Sequence, residues 1–465
     1  MAEPLWTSYE ILAATGGRLS GPDFAATGVS IDTRTLESGD LFVALAGERD
    51  GHEFVPMALD RGAGGLLASR TVAGPAIVVG DTLKALEQLG EASCIRASQA
   101  RRGAVTGSVG KTSVTQAIRA GLERAGRAHS SVKSYNNHIG VPLTLARMPR
   151  DTERAVFEIG MNHADEITPL VRMVQPHAVA ITTVAQAHIE NFADGEAGVA
   201  RAKAEIFDGL ASGGTAVLNA DNQWFDYLSG AAKAAGAQVL AFGSDPACAA
   251  QLIDFSLAGG GARIEARLHG ARATFSLRQS GHHWGLMSLA ALLMMEALGV
   301  SRADGLAALA AFEPLEGRGA ELQVKLAGGS FTLIDESYNA NPVSVAAAVR
   351  TLGLRKASGR RIVALTDMLE LGGRSAAYHA GLAAEIEAAK VDLVFCAGPM
   401  MKSLWEALPP TRQGAYAEAA AALAPLLTRA IEPGDVVMVK GSKDSKAKAL
   451  FDALRGLESD SGEAA

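Results

Sequence analysis

The sequence predicts an α/β protein with three domains, and three observations lead to this fold class. The chain has 465 residues, and at about 150 residues per domain this length suggests three domains. Short apolar runs alternate with helical patterns along most of the chain, which is typical of parallel sheets covered by helices. A glycine-rich stretch, TGSVGKTS, separates one apolar run from one helical pattern. We place the domains at 1–84, 85–314 and 315–465.

The first of these, 1–84, is predicted to be a small α/β unit. Strands are predicted at GDLFVAL, GLLAS and AIVVG, and a helix at FVPMALDRGA. Asp81 precedes the helical pattern LKALEQLGEASCIRAS, and an aspartate in this position accepts hydrogen bonds from the first backbone N–H groups of a helix. We expect that helix to lead into the second domain.

The central residues predict a parallel sheet with helices on both faces. Strands are predicted at RRGAVTG, RAVFEIG, HAVAITTV and GTAVLNAD. After the glycine-rich stretch, Val114, Ile118 and Leu122 recur every four residues until Gly126, as on one face of a helix. The helix therefore begins at the glycine-rich stretch itself.

The last residues predict a smaller doubly wound sheet of the Rossmann-like type. Its strands are predicted at FTLIDE, RIVALTDM, VDLVFCAG and DVVMVKG, with helical segments between them. Sheets of this kind bind ligands at the carboxyl ends of their strands.

Composition excludes several classes of function. The net charge is −7 and no Lys/Arg run stands out, which argues against nucleic acid as a partner. The most apolar stretch, LMSLAALLMMEALGV, contains Glu296 and is shorter than the roughly 20 residues that cross a bilayer, so we expect a buried helix and no membrane insertion. Cys94, Cys248 and Cys396 are isolated, and no signal peptide is recognisable at the start, which together favour a reducing cytoplasm.

The glycine-rich stretch has the features of a phosphate-binding loop. A full Walker loop is G-x-x-x-x-G-K-[ST], whereas here Val105 occupies the first glycine position and the glycine falls at Gly107. Small residues between a strand and a helix still allow backbone N–H groups to approach an anion. Lys111 could reach the outer phosphates and the Thr112 hydroxyl could bind Mg²⁺. An ordinary glycine-rich turn is the alternative, and the position of GKT favours the nucleotide.

Three further polar residues interrupt apolar patterns. Glu158 falls in a strand that should be buried, so it needs a metal ion or a salt bridge as partner. His188 follows another apolar strand and could be a ligand or a hydrogen-bonded structural residue. Lys203 shares a helix face with Val199 and Ile206, so it either extends to solvent or has its charge removed or used.

The order of these motifs resembles that of the Mur ligases, which are ATP-dependent amide-forming enzymes of bacterial cell-wall synthesis. The motifs are TGSVGKTS, YNN-x-IGVP, E-x-G, T-x-x-x-x-H and A-x-A-K-x-E-I-F. VSIDTRTLESGDLFVALAGERDGHEF resembles the family's domain for a UDP-linked muramoyl substrate, and LIDESYNANPVSV, DMLELG and VKGS resemble its dipeptide-adding members. The resemblance spans about Ser30 to Ser442, and the D-N-P-R motif of the diaminopimelate-adding relatives is absent.

The resemblance implies a function for each domain. It implies a UDP-muramoyl substrate-binding domain at 1–84, a central ATP-binding P-loop domain at 85–314, and a C-terminal Rossmann-like domain at 315–465. The implied substrates are ATP, UDP-N-acetylmuramoyl-tripeptide and D-alanyl-D-alanine, joined through an acyl phosphate by a cytoplasmic enzyme that we expect to be a monomer. A nucleotide-binding switch and another amino-acid-adding ligase, such as a folylpolyglutamate-type enzyme, remain as alternatives.

The resemblance also implies roles for individual residues in the ATP and metal sites. The ATP phosphates would be held by Gly107, Ser108, Val109, Gly110, Lys111, Thr112 and Ser113. Two Mg²⁺ ions would be held by Thr112, Glu158, His188 and a carbamylated Lys203, whose carbamate carries negative charge. His283, Arg318 and Asp335 would contact ATP from the later parts of the chain.

The remaining implied residues concern the other two substrates. Ser30, Asp32, Thr33 and Arg34 match the uridine-nucleotide region. Asn136 and Asn137 match a loop near the nucleotide and the muramoyl peptide, although asparagine and glycine there would equally suit a plain turn. Tyr338, Asn339 and Asn341 would lie near the incoming dipeptide.

One stretch departs from the family pattern. Where the family often has G-R-H-N-V-x-N, this chain has GHHWGLM. His283 matches, but Trp284 and Met287 replace the two asparagines. Trp284 could stack on the adenine base or pack into the core of its helix.

Overall fold

The computed structural model describes residues 3–47, 49–132, 134–186, 189–258 and 260–458. In these residues the strands form three large sheets and one two-stranded sheet. Each large sheet is built from one continuous part of the chain, and helices flank all three. The α/β class predicted from the sequence is confirmed.

The first sheet uses strands between residues 18 and 78. The elements are β1 (Trp6–Thr7), α1 (Ser8–Thr15), β2 (Arg18–Ser20), β3 (Ala25–Ala26), β4 (Gly28–Ser30), β5 (Asp40–Val43), α2 (Val55–Asp60), β6 (Gly65–Ala68), β7 (Ala76–Val78) and α3 (Thr82–Arg96). The order is β2-β7-β6-β5-β4, parallel except for β2. Asp81 caps α3 as predicted, since its carboxylate accepts from Leu83 N and Lys84 N at 2.8 and 3.0 Å.

The central sheet carries the glycine-rich loop at the carboxyl end of one of its middle strands. Its elements are β8 (Arg101–Thr106), α4 (Lys111–Ala125), β9 (Ala128–Ser130), α5 (Gly140–Ala146), β10 (Arg154–Glu158), α6 (Ile167–Val174), β11 (Ala178–Ile181), α7 (Glu196–Ala204), β12 (Thr215–Asn219), α8 (Phe225–Ala234), β13 (Gln238–Gly243), β14 (Ala250–Ala258), β15 (Gly261–Leu268), β16 (Ala271–Leu277), α9 (Trp284–Ala297) and α10 (Arg302–Ala311). The order is β16-β15-β14-β13-β12-β11-β8-β10-β9.

The predicted parallel arrangement holds for only part of this sheet. The strands from β14 to β9 pair in parallel, whereas β15 and β16 add an antiparallel meander at one edge. That meander was not predicted from the sequence. The β14 side chains are mostly half-buried or exposed, so β14 lacks the apolar run that identified the buried strands.

The third sheet uses strands between residues 320 and 440. Its elements are β17 (Ala320–Leu326), β18 (Gly329–Glu336), α11 (Pro342–Gly353), β19 (Arg361–Thr366), α12 (Ser375–Ala388), β20 (Leu393–Ala397), α13 (Lys402–Ala407), β21 (Gln413–Ala417), α14 (Ala420–Ala430), β22 (Val436–Lys440) and α15 (Ala447–Arg455). The order is β17-β18-β22-β19-β20-β21, parallel except for β17. Apolar clusters cover both faces, as a doubly wound sheet requires.

The most apolar stretch forms α9, which is buried in the central domain as predicted. It packs against α4 and the sheet within one large apolar cluster. No helix in the described part of the chain has the length and apolar character needed to cross a membrane.

Polar side chains join the third sheet to the segment before α9. Arg355 donates to Ser280 Oγ and to Glu321, and its second terminal N–H group lies 2.8 Å from Glu321 Oε2. Beside them, the backbone N–H of His282 donates to Thr351 Oγ1 at 3.2 Å. These contacts help to hold the Rossmann-like sheet against the carboxyl edge of the central sheet.

Candidate active site

The loop between β8 and α4 has the backbone of a phosphate-binding loop. Gly107 and Gly110 have φ values of 148° and 87°, which L side chains rarely adopt. A Cβ atom on Gly107 would lie 1.9 Å from Thr182 Oγ1, and that hydroxyl donates to Val109 O at 2.6 Å. Helix α4 begins at Lys111, so its first N–H groups and its dipole face the loop.

Gly107→Ala is therefore expected to weaken ATP binding by roughly tenfold or more, which corresponds to about 1.4 kcal/mol of binding free energy. The reason is that the added methyl group displaces the Thr182 hydroxyl from Val109 O. Gly213→Ala is the matched control, since Gly213 also has positive φ, at 71°, but no atom lies near its Cβ position. The control should lose only about 1–2 kcal/mol of stability from backbone strain. Equilibrium ATP binding and thermal unfolding of both variants check this, and equal ATP affinity in the two would contradict it.

Lys111 and Thr112 extend from the loop toward groups on other segments. Lys111 Nζ donates to Gly107 O at 2.7 Å, and burial lowers the pKa of Lys111 while the carboxylate of Glu158 opposes that shift. Thr112 Oγ1 lies 3.1 Å from Ser134 Oγ. The sequence predicts that Lys111 binds the phosphates of ATP and that Thr112 binds Mg²⁺. Both side chains are positioned for these roles.

Glu158 ends β10 and is almost completely buried, at 1% exposure. Its Oε1 accepts from Asn136 Nδ2 at 2.7 Å, whereas its buried Oε2 has no hydrogen-bond partner. A buried carboxylate oxygen without a donor is unfavourable unless a cation is present. The predicted salt-bridge alternative is wrong, because Glu158 forms no ion pair with the described residues.

The oxygen ligands available here suit Mg²⁺. Thr112 supplies a hydroxyl and Glu158 a carboxylate, and both line the same cavity. No cluster of three or more His, Cys, Asp or Glu side chains in the described ranges could hold a metal alone. Mg²⁺ commonly binds one or two protein oxygens together with substrate phosphates. His188, the other predicted ligand, lies outside the described residues.

Lys203 points into the protein from the last turn of α7. Its exposure is 2%. Burial lowers the pKa of Lys203 well below its usual value, the nearby positive charge of Lys111 lowers it further, and the charge of Glu205 acts to raise it. The alternative that Lys203 extends into solvent is therefore wrong.

A cavity of about 620 Å³ lies between the P-loop and the third sheet. Arg318 Nη2 donates to Thr112 Oγ1 at 3.1 Å, and the Arg318 guanidinium lies 4.0 Å from the centre of the Tyr338 ring. The Tyr338 hydroxyl donates to Ser134 Oγ at 2.9 Å. Residues on both sides of the cavity are thus in direct contact at the threonine expected to bind metal.

Most of the residues singled out from the sequence line this cavity. Those in its wall are Ser108, Val109, Gly110, Lys111, Thr112, Ser113, Asn136, Glu158, His283, Arg318, Tyr338, Asn339 and Asn341. The predicted residues that are not in the wall are Gly107, Asn137, Lys203, Asp335, Ser30, Asp32, Thr33 and Arg34.

Asp335 and Asn137 lie outside the cavity wall and bind backbone N–H groups of segments close to it. Asp335 is 1% exposed, and its carboxylate accepts from Gly317 N at 3.0 Å and Ser337 N at 3.1 Å. It thereby orders the residues next to Arg318 and Tyr338 rather than contacting the cavity. Asn137 Oδ1 accepts from Gly140 N at 2.9 Å, which orders the start of α5.

Around the start of α9, the structure favours packing for Trp284. Trp284 is 3% exposed, and its ring centre lies 5.7 Å from that of Phe312. Met287 contacts the P-loop, since its Sδ lies 3.0 Å from the Cβ position of Gly110. His283 lines the cavity, and burial lowers its pKa.

The residues predicted for the uridine nucleotide lie at the end of β4 and in the turn that follows it. Ser30 is fully buried, and its hydroxyl donates to Asp32 O at 3.1 Å. Asp32 pairs with Arg34 at 2.6 Å, and this pairing lowers the pKa of the Asp32 carboxyl.

A charged pair in the cavity wall was not predicted from the sequence. Lys440 is 3% exposed, and its Nζ donates to Glu336 Oε2 at 3.2 Å and to Asn339 O at 3.0 Å. Glu336 and Lys440 are register partners at the carboxyl ends of β18 and β22. The available signal was a lysine and a glutamate, each ending a long apolar strand.

This fold and cavity define an α/β protein whose phosphate-binding loop faces a Rossmann-like sheet across one shared cavity. Two family descriptions match the chain, Mur ligase middle domain over residues 105–295 and Mur ligase, glutamate ligase domain, over residues 322–443. The chain belongs to the Mur ligase family, as its motifs predicted.

Its relatives are similar over almost their whole length. The chain is 35% identical to the UDP-N-acetylmuramoyl-tripeptide--D-alanyl-D-alanine ligase of Escherichia coli, with 97% of this chain and 98% of the relative covered. The enzyme of the same name from Bacillus subtilis is 32% identical, with 96% and 98% covered. The crystal structure of MurF from Acinetobacter baumannii matches with a TM-score of 0.86 and 28% identity, covering 98% of this chain and 99% of that one.

Proposed function

We propose that this chain uses ATP to join D-alanyl-D-alanine to UDP-N-acetylmuramoyl-tripeptide in peptidoglycan precursor synthesis. The observation that carries this proposal is one cavity that joins the P-loop, the unpartnered carboxylate oxygen of Glu158 and the third-domain side chains of Arg318 and Tyr338. The near full-length similarity to ligases of that name supports the choice of substrates. ADP and phosphate are the other products.

The P-loop side of the cavity would hold ATP. Backbone N–H groups of 107–113 and the Lys111 ammonium would bind the phosphates, while Thr112 and Glu158 would hold Mg²⁺, with His188 proposed for a second ion. Bound Mg²⁺ would neutralise the phosphate charge that builds up during transfer. Arg318 already lies beside Thr112, where it could turn to the terminal phosphate.

Lys203 would serve this site as a carbamate. Because burial and Lys111 lower its pKa, more of its amine is uncharged near neutral pH than in an exposed lysine. The amine nitrogen attacks the carbon of CO₂, a C–N bond forms, one C=O electron pair moves to oxygen, and the amine loses a proton to solvent. The resulting anion would supply a metal ligand where the buried amine of Lys203 now lies.

The reaction would then proceed in two steps. The terminal carboxylate oxygen of the tripeptide attacks the γ-phosphorus, and the bond from that phosphorus to the bridging oxygen of ADP breaks. The amine of D-alanyl-D-alanine next attacks the acyl carbon, loses a proton, and phosphate leaves. An acyl phosphate hydrolyses easily, so the cover provided by Arg318 and Tyr338 would help to exclude water.

The other parts of the chain would bind the remaining substrates. We propose 1–84, 85–314 and 315–465 as the domains for the UDP-muramoyl substrate, for ATP and for cavity closure. Asn136 and Asn137 would serve the muramoyl peptide, and Tyr338, Asn339 and Asn341 the dipeptide. The free, buried Cys94, Cys248 and Cys396 support a reducing cytoplasm, where we propose that the chain acts as a monomer.

Phosphate release from ATP tests this function. We expect release at a substantial rate only when UDP-N-acetylmuramoyl-tripeptide and D-alanyl-D-alanine are both present, because each phosphate produced reports one completed amide bond. Single D-alanine in place of the dipeptide is the matched control. Equal release with free amino acids would point to another amino-acid-adding ligase, and release without any acceptor would point to a nucleotide switch.

A further inference from the structure

Glu205 follows Lys203 by two residues and binds a different segment of the domain. Its Oε1 accepts from Asp165 N at 2.7 Å, and its Oε2 accepts from Ile167 N at 3.1 Å and Thr168 N at 3.2 Å. The carboxylate thus satisfies three backbone donors at the start of α6. That helix has no side-chain cap of its own, so Glu205 supplies the cap from a distant part of the chain.

The segment that Glu205 holds belongs to the active site. It follows Glu158 along the chain, and its first residues, Gly160, Met161 and Asn162, line the cavity. Asp165 adopts a φ of 67°, a backbone conformation that is uncommon for residues other than glycine. The hydrogen bond to Glu205 helps to hold this backbone, and with it the turn that begins at Glu158.

The segment that carries Lys203 and Glu205 also packs closely against α6 through the residues that follow it. Thr168 Oγ1 donates to Asp208 Oδ2 at 2.6 Å, and a Cβ atom on Gly209 would lie 2.2 Å from Val171 O. The Lys203 side chain is 2% exposed, so the location of its amine depends on where its own backbone is fixed.

We propose that Glu205 is a positioning residue that couples the Lys203 segment to the turn after Glu158, and so fixes where the Lys203 amine lies relative to Glu158. The inference rests on the proposed carbamate function of Lys203. A helix cap alone would affect only the stability of the fold. Coupling of two ligand-bearing segments would in addition set how readily Lys203 takes up CO₂ and metal.

Glu205→Gln tests this proposal, because the amide keeps the size of the side chain but one of its two end atoms can no longer accept a hydrogen bond. Glu205→Asp keeps the charge at the helix start and withdraws the carboxylate by one methylene, so it provides a second variant if the first folds poorly. Glu123→Gln is the matched control, since it makes the same change at an exposed acid on α4 that pairs with Arg119. Each variant is compared by thermal unfolding, kcat and the ¹³C NMR carbamate signal in ¹³C-bicarbonate.

We expect Glu205→Gln to lower kcat and raise the half-saturating CO₂ concentration by roughly 10- to 100-fold, with a weaker carbamate signal and a smaller change in KM for ATP. Glu205→Asp should fall between Glu205→Gln and the parent, and Glu123→Gln should resemble the parent. A lower unfolding temperature with unchanged kcat and carbamate signal would overturn the inference and leave Glu205 as a simple cap. Absence of a carbamate signal in the parent enzyme would overturn the proposed role of Lys203 and this inference together.

Discussion

An enzyme carrying Lys203→Met is expected to lose about 1,000-fold or more in kcat, a loss of the size seen when a transition-state-stabilising group is removed. Methionine has a similar length and fits an apolar interior, but it cannot form a carbamate. Because the Lys203 side chain is 2% exposed and lacks an ion pair with the described residues, its removal leaves no buried acid uncompensated. Phosphate release should therefore be lost, while the thermal unfolding temperature should stay close to that of the parent enzyme.

Chemical rescue distinguishes a carbamate from a simple buried lysine. Lys203→Ala leaves space where the side chain stood, so added short-chain carboxylic acids should restore part of the activity by supplying the missing anion. Lys203→Met fills that space and should not respond. Lys84→Ala removes an exposed lysine paired with Glu87 and should behave like the parent enzyme with and without acid. An active Lys203→Met enzyme would contradict the carbamate role.

The sequence predicted the site best where local pattern decides the structure. The run of Val114, Ile118 and Leu122 predicted α4, and all three side chains are fully buried. The apolar strand around Glu158 indicated a buried carboxylate, and Glu158 is buried. The pattern around Lys203 left both directions open, and the structure shows the inward one. In each case the period of the element determines which way a side chain points.

Pairings between distant segments could not be derived in this way. The contact of Trp284 with Phe312 and the pairing of Glu336 with Lys440 depend on packing and strand register, which no single stretch of sequence specifies. The meander of β15 and β16 was missed because only one of its faces is well buried. The three-way cap by Glu205 likewise joins positions about 40 residues apart, a distance beyond local rules.

Glu158→Gln is expected to raise the Mg²⁺ concentration needed for half-maximal activity by roughly 10- to 100-fold. The amide keeps the shape of the side chain and can still accept from Asn136, but it places an N–H₂ group where the unpartnered Oε2 now stands. That group cannot bind a cation. Phosphate release over a range of Mg²⁺ concentrations measures the shift, and Glu123→Gln, at an exposed acid on α4 paired with Arg119, is the control.

Although Glu158→Gln should weaken Mg²⁺ binding, it should not destabilise the folded protein in the absence of metal. Glu158 then holds a buried carboxylate oxygen with no donor, which is unfavourable by about 1–3 kcal/mol. Replacing the charge with a neutral amide should leave the unfolding temperature unchanged or raise it, whereas in saturating Mg²⁺ and ATP the parent should gain more stability than the variant. If Glu158→Gln instead lowered stability without metal and kept the Mg²⁺ dependence of the parent, Glu158 would be a structural partner of Asn136 and the metal would have to bind elsewhere.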